Sequence, residues 1–259
     1  MITIQYLGGK SRISKQISEV INNEVSRWEV KNSTTDSRNN PERERESLTF
    51  VSLFCGSCSI ESKVKGFDKV ICNDKHYYLI ELYKALQEGY IPPDYIDSIE
   101  YNRVKNNIPN EKPEYVGFVG FGSSFGGKWF GGYGRSKKKN GEIRWHSQET
   151  KKALLRDIKE LQSVQFTCQD YRDVIIPNNS IVYADPPYNN TTGYGKDKFN
   201  SDEFWEYMRV ISKNNKVFIS EQTAPNDFEC IWEKEFTRTL DSNKENQFKV
   251  TEKLFTYKF

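Results

Sequence analysis

A short apolar run that ends in a carboxylate and two prolines constrains this chain more than any other feature. The run from Ile181 to Ala184 has the length and composition of a buried strand. The tetrapeptide Asp185-Pro186-Pro187-Tyr188 follows it directly. Proline has a fixed φ and no backbone N–H, so the pair ends the strand. The sequence therefore predicts a rigid polar pocket at a strand end.

Such a pocket suits methylation of an exocyclic amine on a nucleobase. Asp185 is able to accept one N–H of the amine, and the carbonyl of Pro186 is able to accept the other. These two bonds favour the pyramidal, nucleophilic amine over the planar one. Tyr188 offers a face on which an extruded base stacks, a contact worth about 1–3 kcal/mol. The tetrapeptide alone leaves open a simpler interpretation, in which the prolines only stop a strand and Asp185 caps a turn.

A second element lies near the start of the chain, where Tyr6-Leu7-Gly8-Gly9-Lys10 precedes an amphipathic pattern. Ile13, Ile17 and Ile21 recur at helical spacing. A glycine pair before a helix lets backbone N–H groups approach an anionic ligand, and Lys10 adds a positive charge. Taken singly, this turn is weak support for a binding site.

Two further strand ends carry small or acidic residues. The run from Phe50 to Phe54 leads into Cys55-Gly56-Ser57, an arrangement that lets a cofactor lie against the carboxyl end of a strand. The next strand, Val70 to Cys72, delivers Asp74 about twenty residues on, where an acidic side chain typically binds ribose hydroxyls.

The order of these elements resembles that of the Dam-type (D12 class) DNA adenine-N6 methyltransferases, which use S-adenosylmethionine. The resemblance covers most of the chain outside residues 29–47. It implies a cofactor site formed by Tyr6, Gly8, Gly9, Lys10, Phe54, Gly56, Asp74, Asp170, Tyr171 and Asp185. It implies a catalytic group of Asp185, Pro186, Pro187 and Tyr188. Two positions depart from the family pattern: Ser52 replaces a frequent acidic residue, and Cys58 replaces a common glycine.

Residues 90–147 interrupt an alternation of strands and helices and are rich in glycine, aromatic and basic residues. We expect this segment to be a target-recognition lobe that contacts DNA phosphates and bases. Asn140-Gly141 predicts a hairpin turn. The alternative is a solvated glycine loop. The candidate DNA-binding residues are Lys128, Arg135, Lys137, Lys138, Lys139 and Arg144.

The alternation predicts an α/β fold, Rossmann-like, with a doubly wound and mostly parallel sheet and an inserted smaller lobe. Residues 1–89 and 148–259 are expected to form the S-adenosylmethionine-binding catalytic domain, and residues 31–46 a polar linker. Helices are expected at 77–87, at 148–162 and from Ser201, which is a candidate N-cap. A final antiparallel strand is expected within residues 250–259, and residues 189–199 are expected to form a flap over the base.

Charge and cysteine content restrict the function further. The net charge of +2 means that any affinity for nucleic acid comes from a local patch. Five scattered cysteines favour reduced thiols over a disulfide framework. Cys55 and Cys58 have the spacing of a redox or zinc pair, but His76 and His146 are the only histidines and no second such pair exists, so no metal is expected.

No apolar run reaches the ~20 residues of a membrane span, and the first residues lack a signal-peptide pattern, so a cytoplasmic location is expected. The resemblance places it in a bacterial or phage-infected cell.

The expected activity is transfer of a methyl group to N6 of a flipped adenine in duplex DNA. Cytosine N4 and adenine in RNA remain alternative targets, because the same tetrapeptide polarises any amino group. A DNA-binding protein with impaired catalysis is the more distant alternative. The sequence gives no indication of a companion restriction endonuclease.

Overall fold

A seven-stranded sheet forms the centre of the protein. The computed structural model describes residues 6, 8–36, 47–137, 140–187, 199–239 and 247–258. The strands of the sheet are β1 (Thr49–Ser52), β2 (Lys69–Asn73), β5 (Gln165–Thr167), β6 (Ile181–Ala184), β7 (Lys216–Glu221), β8 (Phe228–Thr239) and β9 (Gln247–Tyr257). A separate two-stranded ribbon is formed by β3 (Arg135–Lys137) and β4 (Ile143–Trp145).

The strand order is β5-β2-β1-β6-β7-β9-β8. The first five strands in this order are parallel to one another. β9 runs antiparallel to both β7 and β8, between which it lies. The carboxyl ends of β1, β2 and β6 therefore meet at one edge, and β1 and β6 are neighbours where the strand order reverses, which is where ligands bind in open α/β sheets. The expected mostly parallel sheet with an antiparallel addition is confirmed.

The helices are α1 (Ser14–Asp36), α2 (Tyr77–Gln87), α3 (Ser98–Asn106), α4 (Pro113–Gly117), α5 (His146–Asp157) and α6 (Ser201–Ser212). α2 has the expected bounds, and Gly89 beyond it has a φ of +93°, which a glycine adopts at low cost. α5 continues as a 3₁₀ segment to Leu161, close to the expected end. No helix in the described part of the chain is both long and apolar enough to cross a bilayer.

Two local predictions need correction. Asn200, rather than Ser201, caps α6, since its side chain accepts a hydrogen bond from the N–H of Glu203. α1 continues to Asp36, so residues 31–36 of the expected linker are helical. The remaining residues of that linker, 37–46, lie outside the described residues.

The segment between α2 and α5 packs tightly on helix α2. Phe118 and Phe121 are fully buried in the same apolar cluster as Leu82 of α2. At Gly117 the two backbones approach so closely that a Cβ atom would lie 2.1 Å from the carbonyl oxygen of Tyr78. The segment therefore shares a continuous core with the sheet-covering helix α2. Its role as a target-recognition lobe stays a prediction.

The hairpin predicted at Asn140-Gly141 joins β3 and β4, with Lys137 paired to Ile143. Gly141 has a φ of +86°, as a tight hairpin turn requires. β8 was not predicted. Its apolar pattern is broken by a bulge between Cys230 and Trp232, and most of its described side chains are exposed.

Candidate active site

Lys10 and Asp185 meet at the carboxyl end of β6, although 175 residues separate them. The Lys10 ammonium lies 2.6 Å from Oδ1 of Asp185, and Lys10 is only 5% exposed. Pro186 is buried and Pro187 is exposed. The site thus joins two predicted motifs, since Lys10 contacts the carboxylate of Asp185, the predicted catalytic residue. Tyr188 and residues 189–198 lie outside the described residues.

Two glutamates that sequence analysis missed lie in this electrostatic environment. Oε2 of Glu252, on β9, is 3.8 Å from the Lys10 ammonium. Glu221 ends β7, and burial together with the charge of Asp185 raises its pKa to about 7. One lysine is therefore surrounded by several carboxyl groups contributed by three adjacent strands, β6, β7 and β9.

Asp74 holds the glycine turn that follows β1. Its carboxylate accepts the N–H of Gly56 at 3.0 Å and the N–H of His76 at 2.9 Å. Burial raises the pKa of Asp74 to about 6, and the two backbone hydrogen bonds oppose that shift. A buried carboxylate with two oxygens at this strand end is able to accept ribose hydroxyls through further lone pairs. The position of Asp74 directly after this strand predicts the same role from the sequence.

The turn before α1 packs against the turn after β1. A Cβ added to Gly56, whose φ is +45°, would lie 3.1 Å from two ring carbons of Tyr6. One added to Gly9 would lie 3.3 Å from Oγ of Ser57. Gly8 has a φ of +87°, so both glycine turns need the conformational freedom of the residue. The structure therefore brings Tyr6, Gly9 and Gly56 together.

An aromatic cluster lies beyond β1 and β6. The ring centroid of Phe54 is 5.2 Å from that of Tyr171, and Phe199 lies 6.1 Å from both. Asp170 precedes Tyr171 and accepts hydrogen bonds from Arg172 at 2.7 Å and Lys75 at 3.4 Å. Its bond with Arg172 lowers the pKa of Asp170 to about 2, so the residue is ionised. Tyr171 is buried in this cluster and Phe54 is half-buried, and their predicted contact with the adenine of the cofactor stays a prediction.

The two departures from the family pattern have structural explanations. Ser52 donates a hydrogen bond of 2.6 Å to Oε1 of Glu61, so a buried carboxyl group lies beside the position where the family often has an acid. Burial raises the pKa of Glu61 to about 8. Cys58 has a φ of +52°, in the left-handed region where glycine is favoured. Neither residue contacts Asp185 or Lys10 through a described hydrogen bond.

Three of the five cysteines are buried in the fold. Cys55, Cys58 and Cys72 are buried free thiols, and burial raises the pKa values of Cys55 and Cys72. Among the residues that the structure describes, no group of three or more His, Cys, Asp or Glu side chains is arranged to hold a metal ion.

The predicted DNA-binding residues differ in their surroundings. Lys128, Arg135 and Lys137 are exposed. Arg144 forms an ion pair with Glu149, which raises the pKa of Arg144 and offsets part of its charge. Lys138 and Lys139 lie outside the described residues. The described basic side chains of β3, Arg135 and Lys137, are thus presented to solvent on a short ribbon.

A pocket of ≈ 310 Å³ opens beside Lys10, at the lower end of the ~300–1,000 Å³ typical of small-molecule sites. Its walls come from the N-terminal turn, the glycine-rich segment and the β8–β9 hairpin, with Tyr6, Arg12, Gly126, Phe236 and Glu252 among the lining residues. Phe125, next to Gly126, is 67% exposed. The pocket places the candidate recognition segment within reach of the Lys10 and Asp185 pair.

A signal for Glu252 exists in the sequence. Val250, Glu252 and Leu254 are spaced two residues apart along β9, so their three side chains lie on one face of the strand. A carboxylate on an otherwise apolar face marks an inward charge that needs a partner.

The fold and the strand-end residues define the class of the protein. If the seven strands of the main sheet are numbered in chain order, their order across the sheet is 3-2-1-4-5-7-6. Only the seventh strand, β9, runs antiparallel to the strands beside it. This is a Rossmann-like, doubly wound sheet. The profile of the D12 class N6 adenine-specific DNA methyltransferases matches residues 6–128 and 126–256. The chain belongs to that family, and the resemblance noted in its sequence is confirmed.

Several solved structures resemble the chain at low identity. A protein of Pyrococcus horikoshii assigned as an RNA methyltransferase is 9% identical, with 82% of this chain and 75% of that chain covered and a TM-score of 0.37. TrmN from Thermus thermophilus is 11% identical, with 82% and 44% covered and a TM-score of 0.34. TehB from Haemophilus influenzae is 10% identical, with 82% and 57% covered and a TM-score of 0.34. No curated protein matches the chain.

Proposed function

We propose that this protein transfers a methyl group from S-adenosylmethionine to the N6 amine of an adenine flipped out of duplex DNA. The observation that carries the proposal is the carboxylate of Asp185, fixed by Lys10 at the end of β6 and followed by the buried Pro186. Membership of the N6-adenine-specific family supports the target atom.

The residues near the carboxyl edge fit S-adenosylmethionine by their chemistry. Asp74 supplies buried acceptors for ribose hydroxyls, and Phe54 and Tyr171 supply aromatic faces for the adenine ring. Asp185 and Glu221 supply negative charge for the ammonium group at the amino-acid end of the cofactor. When bound, the cofactor supplies an electrophilic methyl group on a positively charged sulfur.

The catalytic role of the protein is positioning and polarisation. The carboxylate of Asp185 accepts one N–H of the adenine amine and the carbonyl of Pro186 accepts the other, which localises the lone pair on nitrogen. Lys10 restricts the orientation of Asp185, so little reorganisation is needed during the reaction. The lone pair of the amine would form the new N–C bond as the bond between the methyl group and sulfur breaks. The sulfur would keep that electron pair, leaving S-adenosylhomocysteine, and the nitrogen would lose one proton to solvent.

Binding of DNA is assigned to the basic ribbon and the glycine-rich segment. Lys128, Arg135 and Lys137 are exposed and suited to phosphates. The exposed ring of Phe125, next to the pocket, is suited to stacking against a base. Tyr188, Lys138 and Lys139 keep their predicted roles as part of this proposal.

Methylation of unmodified duplex DNA with radiolabelled S-adenosylmethionine tests the proposal directly. The DNA is digested to nucleosides and the labelled one is identified. We expect the label in N6-methyl-2′-deoxyadenosine. We expect no labelled nucleoside when the Asp185→Asn variant is used. Label in N4-methylcytosine would contradict the assigned amine, and label only with an RNA substrate would contradict the assigned nucleic acid.

Calorimetry with S-adenosylmethionine separates a lost catalytic group from a lost cofactor site. We expect Asp185→Asn to fold and still to bind S-adenosylmethionine, although more weakly, because Asp74, Phe54 and Tyr171 remain while one negative charge near the amino-acid end is lost. If Asp185→Asn retains more than a few per cent of wild-type activity, the role assigned to Asp185 is wrong.

A further inference from the structure

Lys10 is shared between two carboxylates that both lie far from it in the sequence. Asp185 lies 2.6 Å from its ammonium and Glu252 lies 3.8 Å from it. The three side chains come from the turn before α1, the end of β6 and the middle of β9. The side chain of Glu252 is 1% exposed and that of Lys10 is 4% exposed, so water screens this contact little.

A glutamate at this position of β9 is costly to the fold. Leu254, two residues further on the same face, is fully buried. Removing a carboxylate from water is unfavourable unless a partner compensates for it, and the ammonium of Lys10 lies within ion-pair distance of Glu252. An apolar residue here would serve the core at lower cost, so packing gives no reason for the carboxyl group.

The electrostatics of the site do give a reason. A single lysine at 2.6 Å from Asp185, with no second anion, would neutralise the carboxylate that has to accept an N–H of the amine. With Glu252 present, the positive charge of Lys10 is shared between two carboxylates, so less of it is spent on Asp185. Methyl transfer places positive charge on the amine nitrogen, and a fixed negative environment stabilises that change.

We propose that Glu252 is a positioning residue, which holds Lys10 between two carboxylates so that Lys10 orients Asp185 without cancelling its charge. This inference rests on the proposed function, because Asp185 is taken as the acceptor for the target amine. Glu252 acts through Lys10, and it is also a wall of the pocket next to the site.

Single-turnover methylation of duplex DNA by Glu252→Gln, Glu252→Asp and Glu235→Gln tests the proposal. Glutamine keeps the size of the side chain and removes its charge. Glu235 is the matched control, since it lies on the neighbouring strand β8 in an exposed ion pair with Lys249. Thermal unfolding and calorimetric titration with S-adenosylmethionine are measured on the same samples.

We expect Glu252→Gln to slow the single-turnover rate on the order of tenfold or more, the scale of one preorganised electrostatic contact, with an unchanged cofactor dissociation constant. Glu252→Asp should recover part of the rate, because it restores the charge at a longer distance. Glu235→Gln should match the wild type.

Two different failures are distinguishable. A wild-type protein that labels no adenine overturns the proposed function, and this inference with it. An active wild type with Glu252→Gln as fast as Glu235→Gln overturns this inference alone. A Glu252→Gln variant that loses thermal stability but keeps its single-turnover rate shows a structural ion pair and also overturns the inference.

Discussion

The carboxylate of Asp74 accepts the backbone N–H of Gly56 at 3.0 Å and so joins the end of β2 to the turn after β1. Both residues follow strands that are neighbours in the parallel sheet. The bond fixes the glycine turn while leaving carboxylate lone pairs for another donor. Asp74 therefore has a structural role and a proposed ligand-binding role in the same side chain.

Cofactor affinity should depend on pH through Asp74. Because the pKa of Asp74 is about 6, the residue is a carboxylate at pH 8 and is mostly protonated at pH 5. A protonated acid is a poorer acceptor, so we expect the affinity for S-adenosylmethionine to fall as the pH drops through 6. Calorimetry of the wild type and Asp74→Asn at several pH values checks this. The variant should bind more weakly at pH 8 and lose that pH dependence; an equal dependence in both proteins would contradict the prediction.

Gly56→Ala should weaken cofactor binding. The added Cβ meets the ring of Tyr6 at 3.1 Å, and a φ of +45° costs an alanine about 1 kcal/mol or more. Shifting Tyr6 disturbs the junction of the two glycine turns, and we expect a loss of affinity of about tenfold, which is ~1.4 kcal/mol. Gly89→Ala is the matched control, since its φ is +93° and nothing lies within 4 Å of the added atom. It should lose stability but keep its affinity, as measured by thermal unfolding and calorimetry.

Burial of Glu61 should make the protein less stable at alkaline pH. Its folded-state pKa of about 8 lies above the ordinary value of 4.5. The stabilisation due to its bound proton is therefore complete below about 4.5 and is lost as the pH rises through 8. The loss is at most about 5 kcal/mol at ~1.4 kcal/mol per pKa unit. Asp74 and Glu221, whose pKa values are also raised, add to the same trend.

Glu61→Gln should flatten this dependence. Denaturant unfolding between pH 5 and 9 gives the free energy of unfolding, and we expect its decrease with pH to be smaller in the variant than in the wild type. Glutamine retains an oxygen for the hydrogen bond from Ser52. Glu235→Gln, an exposed control, should follow the wild type. A wild type whose stability rises over this range would show that Glu61 is not buried as a neutral acid.

Removal of a basic side chain from the β3–β4 ribbon should lower the salt dependence of DNA binding. We expect Lys137→Ala to reduce the slope of log K against log[salt] by about 1, the effect of one lost phosphate contact. Arg144→Ala should change it less, because Glu149 already pairs with Arg144. Lys213→Ala is the control. This exposed lysine precedes the amino end of β7, whereas the candidate site lies at the carboxyl ends of the parallel strands. Fluorescence anisotropy at several salt concentrations gives the slopes, and equal slopes for all three variants would exclude the ribbon as the DNA surface.

Much of the fold was predictable because local signals agreed with it. The apolar runs before Asp74 and Asp185 form buried parallel strands, and α2 has the expected ends. β8 escaped prediction because its bulge disrupts the alternation of side chains and its outer position exposes them. Edge strands bury less apolar surface, and their sequence signal is correspondingly weak.

The motifs of the site were predictable, but their pairing was not. Lys10 and Asp185 are far apart in sequence, and only the topology of the sheet brings them within hydrogen-bond distance. Glu252 contributes no recognisable motif, and its importance depends on the position of β9 between β7 and β8. The cofactor and DNA roles of the individual residues stay predictions.

The location of β9 affects how the enzyme is made during translation. Ribosomes release the segment that carries Glu252 long after Lys10, yet both are needed at the same place. A nascent chain halted before residue 247 has β7 as an open edge and lacks the second carboxylate beside Lys10. Long-range strand insertion of this kind is slow, and we expect the electrostatic environment around Asp185 to be completed late in folding, after the parallel strands have formed.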